Sequence, residues 1–198
     1  MRLVKPSLFA MAVVSFMPLA LAACGGDDEP VSHSAPVGID LKADSDKVVG
    51  TNVTDNKNIT TESGNPYGAF VNEAQNVLGV APGRIEVDGV SLLMGAMSTG
   101  VSALNEIFNG RLDVMFQMGT SNDTIPVAHA MIDADTMGRG PVDLTVDFDS
   151  ASLSPANLTD MVMGNFKVVY SGVVVTGYDA LGAKADLQIT FTFEAFAQ

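Results

Sequence analysis

The chain has 198 residues, 47% of them hydrophobic, which is enough for one domain with a sizeable core. Its formal net charge of −13 excludes a nucleic-acid surface, where phosphates must be met by Lys and Arg, and also a polybasic grip on anionic lipid. A single Cys rules out a disulfide framework, and the absence of Trp leaves an aromatic sugar-binding platform poorly supplied.

The chain opens with Arg2 and Lys5 before any acid, followed by an uncharged run from Ser7 to Met17. Pro18 interrupts the run, and small residues then lead to Cys24. A positive start, a short apolar stretch and a small-residue cleavage site form a secretory leader, residues 1–23. A spanning helix instead needs about 20 predominantly apolar residues, and Pro18 breaks the run. The tetrapeptide Leu21-Ala22-Ala23-Cys24 resembles the lipobox of bacterial lipoproteins. That resemblance is confined to the leader and the residues just after it. It implies cleavage before Cys24, a thioether lipid on its sulfur, palmitate-type acylation of the new amino terminus, and attachment to a membrane of the cell envelope. Gly25, not Asp, follows the cysteine. In a cell with two membranes this points to the outer one.

Residues 24–64 carry eight acids and three Lys among Gly, Ser, Asn and Thr. They are expected to be a flexible acidic tether, dispensable for folding, with Val48–Val53 as the one piece able to join a sheet edge. The folded domain is then residues 65–198. Asn65-Pro66 starts a helix with a capping side chain and a first-turn Pro. Phe70, Val71, Ala74, Val77 and Leu78 form its apolar face, and Gly79 ends it. Ile85 and Val87 alternate with acids as a strand. Met94, Met97, Val101, Leu104 and Phe108 step by three and four, which predicts a second helix ended by Gly110. The rival is a hairpin turning at Asn109-Gly110.

Beyond Gly110 the pattern is of period two. Runs at 112–118, 125–132, 142–149, 166–175 and 187–193 alternate or are continuously apolar, with Pro126 marking an edge or late start and Gly172 a bulge. One wet and one dry face is the habit of antiparallel sheets. The expected fold is therefore mainly β: an antiparallel β-sandwich, or alternatively a small β-barrel, with one or two short helices before the main strands.

Few residues suggest chemistry. His129 is the only histidine after residue 64, and Asp143, Asp147 and Asp149 are expected to share one strand face. These four are the side chains best suited to a cation, although the pattern predicts no metal centre. Asp133-Ala134-Asp135 begins like a calcium loop but carries Met137 and Leu144 where oxygen ligands belong, so it reads as a turn. The pairs Met115/Met118 and Met161/Met163 have the thioethers that select Cu(I), yet they fall on apolar stripes and read as core. No nucleophile elbow is present and no cofactor is expected. These features point to a non-enzymatic binding or scaffolding domain, held at a membrane by Cys24 and facing an envelope protein. The alternative is a small-ligand or metal-binding envelope module, and a hydrolase is the least supported.

Overall fold

The computed structural model describes residues 31–62 and 64–197. The leader and Cys24 lie outside the described residues. The chain forms β1 (Ser32–Lys42), β2 (Val48–Val49), β3 (Asn52–Ile59), α1 (Pro66–Leu78), β4 (Arg84–Met94), β5 (Phe108–Met118), β6 (Thr124–Ile132), β7 (Val142–Val146), α2 (Pro155–Met163), β8 (Phe166–Val174) and β9 (Asp186–Phe196). The strands make one nine-stranded antiparallel sheet in the order β1-β9-β4-β7-β6-β5-β8-β3-β2. The mainly β, antiparallel expectation is thus met.

Alternation builds the strands. In β9, Leu187, Ile189, Phe191, Phe193 and Ala195 are buried while the residues between them stay half-exposed. The sheet curls at β7, whose first half pairs with β4 and whose second half pairs with β6. The two flanks therefore face each other, and aromatic rings fill the space between. The Phe116 ring of β5 lies 4.8 Å from that of Phe166 on the neighbouring β8 and 5.5 Å from that of Phe191 across the core. Tyr67 of α1 plugs one end, edge-on to Phe166 at 5.2 Å and Phe193 at 5.1 Å. Its hydroxyl donates to Met161 O at 2.8 Å, so the buried polar atom is satisfied. At Gly172 a Cβ would lie 2.5 Å from the Phe108 ring, so only glycine lets β8 pass under that side chain.

The first helix forms as expected: Asn65 accepts from Tyr67 N at 3.0 Å, and Gly79 closes it in the left-handed region at φ 72°. Four expectations need correction. First, residues 24–64 are not all tether. β1 pairs with β9 along its whole length, β3 pairs with β8, and Val37, Ile39, Leu41, Val53 and Ile59 are buried. Second, no helix covers 94–108. Met94 pairs with Leu187 at the end of β4, Thr99 bridges Lys184, and Gly100 adopts φ +81° against Ala183. Sheet contacts hold this segment extended, Met97 is 81% exposed, and only one 3₁₀ turn forms at Leu104–Glu106. The hairpin rival fails too, because β5 runs straight through Asn109-Gly110.

Third, α2 lies between β7 and β8, not before the main strands. It has the same signature as α1: Ser154 accepts from Asn157 N at 3.2 Å, Pro155 follows, and Gly164 sits at φ 66°. Fourth, β7 ends at Val146, so Asp147 and Asp149 are not on a strand face with Asp143. Pro126 lies inside β6, where the register against β5 shifts by one residue and before Ala128 and His129, the residues that pair with β7.

A buried polar knot ties α2 to the β5–β6 turn. Asp160 accepts from Thr120 N at 2.8 Å, Thr120 Oγ1 at 2.7 Å and Asn165 Nδ2 at 2.8 Å. Burial alone raises its pKa, but the hydrogen bonds from Thr120 and Asn165 outweigh it and hold the carboxyl below its ordinary value. A depressed folded-state pKa adds stability above the unfolded value, and that stability is lost as pH falls through the folded one. Asp160→Ala removes three hydrogen bonds to a buried carboxylate and should cost about 1.5–3 kcal/mol at pH 7. Melting curves of Asp160→Asn should fall less steeply than wild type between pH 5 and pH 3 (a window of about two units set by the linkage relation). An equally steep fall would show that another carboxylate dominates the acid limb.

Candidate functional site

The curl of the sheet stops short of closure. β1 and β3 approach each other without forming a ladder. Side chains bridge to β1 instead: Lys42 N donates to Asp55 Oδ2 of β3 at 2.8 Å, and the hydroxyl of Tyr170 on β8 donates to Lys42 O at 2.7 Å. At Lys42 the main chain therefore faces away from β9, whereas Ala43 N turns back to Ala185 O at 2.8 Å. Strand alternation then turns the main chain of Gly38 and Asp40 toward the gap as well. On the other wall, Val174 N donates to Thr51 O at 2.9 Å. By the same alternation Thr54, Asn56 and Asn58 turn their main chain away from β8 and toward the gap.

A groove of about 620 Å³ runs along this seam, walled by Asp40, Lys42, Asp55, Lys57, Asp186 and Gln188. It continues past Asp40 and Lys57 to the start of α1 at Asn65 and Pro66, adding about 490 Å³. Its charges are mostly paired: Lys47 Nζ lies 3.3 Å from Asp55 Oδ1, Lys42 Nζ lies 3.7 Å from Asp186 Oδ1, and Gln188 Nε2 donates to Asp40 Oδ1 at 3.1 Å. Lys57 makes no ion pair among the described residues. Exposed pairs of this kind contribute little stability, about 0–1 kcal/mol each. Two tyrosines anchor the groove's far end, with Tyr178 donating to Ala43 O beside Tyr170. Burial and the nearby Asp44 charge push the Tyr178 phenol up to about 12, so it remains a donor at any physiological pH. The lining of the main groove holds no histidine, cysteine or hydroxyl side chain. It offers strand-edge donors and acceptors between walls of mixed charge. Such strand-edge groups suit a polar or extended ligand.

The residues expected to carry chemistry lie elsewhere. His129 and Asp147 do come together, Nδ1 to Oδ2 at 2.6 Å, on the solvent side of the β6–β7 junction. Asp143 faces Ser91 across the β4–β7 pair, and Asp149 accepts from Ala151 N at 2.9 Å as a turn cap. No group of three or more His, Cys, Asp or Glu side chains suited to a metal ion occurs among the described residues. Asp133 accepts from Asp135 N at 3.0 Å and Thr136 Oγ1 at 3.2 Å, which makes the Asp133–Thr136 segment a turn. Met118 and Met161 are buried as core, while Met163 is 62% exposed. The sequence reading missed the groove because most of its walls belong to the stretch read as tether. The available signal was the alternation of Val37, Ile39 and Leu41 with Gly38 and Asp40. No protein-family model matches the chain, and the search of curated proteins finds no relative.

Proposed function

We propose that this protein is a lipid-anchored envelope protein whose β-domain acts by binding, not catalysis, with the β1–β3 seam as its binding site. Cys24, in its lipobox-like context, is the anchor. The observation that carries the binding role is the seam itself: two strand edges with main-chain groups turned toward a groove of about 620 Å³. Natural sheets avoid leaving such edges open to neighbours, and edges that stay open are sites where extended partners add. The partner is an envelope component reached from a membrane surface.

The anchor is tested by Cys24→Ser. Wild type should pellet with membranes, dissolve in detergent and take up labelled palmitate. The variant should take up none and should be soluble or remain an uncleaved precursor. A freely soluble, unlabelled wild type would sink the anchor. For the groove, a photo-crosslinking side chain at Lys57 in live cells should yield a discrete adduct, and the same group at Met131 should not. No adduct at either position, or identical adducts at both, counts against the seam as the binding site.

A further inference from the structure

Apart from Met131 on β6, the large exposed apolar side chains among the described residues fall at the two ends of the domain. Val31 is 62% exposed, Val77 53%, Val80 52% and Met163 62%, and all four lie where β1 begins. The contacts place them together: Ser32 pairs with Phe196, Gly83 N donates to Phe196 O at 2.9 Å, and Arg84 stacks over the Phe196 ring at 4.2 Å. α1 runs toward this end, with His33 stacked on Phe70 at 5.8 Å. A shallow apolar groove of about 310 Å³ joins Pro82 and Gly83 to Leu158, Val162 and Met163 of α2. The second set, Val49, Met97, Met137 and Leu181, sits at the opposite end. There Ser45 N bonds Ala183 O, Thr99 bridges Lys184, and Leu104 N bonds Gly138 O.

We infer that the end bearing Val31, Val77, Val80 and Met163 rests on the bilayer, its apolar side chains in the headgroup–acyl boundary. The inference depends on the proposed anchor at Cys24. Length decides between the two ends. Seven peptide units separate Cys24 from Val31, and seven residues span at most about 25 Å whatever their conformation. The 11 residues of β1 put the opposite end roughly 35 Å further along the strand. A chain of that reach cannot lead from the bilayer past the whole domain, so the far end cannot be the one that touches lipid. Among the described residues no basic cluster and no further element covers the near end. Its cation Arg84 is paired with Glu86 at 2.7 Å, so the contact is apolar and should not require anionic lipid. The orientation also keeps the Lys42 end of the β1–β3 groove in the aqueous space, where a partner can reach it.

The chain contains no Trp, so one introduced indole reports its own depth. The lipidated full-length protein, as Val80→Trp, Val77→Trp or Met97→Trp, is reconstituted into phosphatidylcholine vesicles with brominated acyl chains. All three positions are exposed, and circular dichroism confirms the fold of each variant. Val80→Trp and Val77→Trp should emit at shorter wavelength and be quenched at least twofold by bromine, with Met97→Trp unchanged. Proteins that float with the vesicles but show unshifted, unquenched emission at both valines would overturn the inference and leave the anchor standing. Quenching at Met97 equal to that at Val80 would overturn it as well. An unacylated amino terminus by mass spectrometry, with no flotation, would sink the anchor and this inference together.

Discussion

A chain that begins at Asn65 is expected not to fold. Removing everything before it deletes β1, the neighbour of β9, and β3, the neighbour of β8. Val37, Ile39, Leu41, Val53 and Ile59 leave with them, all at most 4% exposed. Each buried aliphatic of this size stabilises by about 1.5–3 kcal/mol, so together they match the 5–15 kcal/mol that holds a typical domain together. Both β9 and β8 would also present bare edges carrying large aromatic faces, which favours aggregation. The truncated chain should show no cooperative thermal transition and should bind a hydrophobic dye, whereas a chain that starts at Val31 should melt like the mature protein. A cooperative transition from the shorter chain would mean that the β4–β9 region forms a core without its outer strands.

Phe116→Ala should be the most damaging single substitution in the core. Its ring meets Phe148 at 5.8 Å, Phe166 at 4.8 Å, Phe191 at 5.5 Å and Phe193 at 6.2 Å, linking β5 and β8 to β9 across the curl. The residue is fully buried. Truncation removes the transfer free energy of the ring and leaves a cavity that aromatic neighbours on two sheet flanks cannot collapse to fill, at a cost of about 3–5 kcal/mol. For a domain of this size that corresponds to a melting temperature lower by about 10–15 °C. The urea midpoint should drop with little change in slope. A loss under about 1 kcal/mol would show that the two flanks do not depend on this ring for their contact.

The folding pattern was readable wherever local chemistry decides it. Strands β5 to β9, the start of β4 and both ends of α1 follow from alternation, capping side chains and left-handed glycines, because these act over a few residues. α2 has equally local signals in Ser154-Pro155 and Gly164, set between strongly alternating strands. The lipobox-like Leu21-Ala22-Ala23-Cys24 is likewise a property of sequence alone.

What tertiary structure decided is the fate of segments whose local signal is weak or misleading. β1 contains Pro36 and Gly38 and β3 contains Asp55, Asn56, Lys57 and Asn58, so both resemble linker. They are strands because β9 and β8 supply the missing hydrogen bonds, and their polar character suits edges that face water and one another. Met94 to Phe108 has helical spacing, yet Asp186 and Lys184 take its backbone hydrogen bonds and hold it extended. The groove belongs to the same class. It exists only because the curl brings β1 and β3, at nearly opposite ends of the strand order, within one side chain of each other. A sequence read locally contains the walls but not the closure that makes them face.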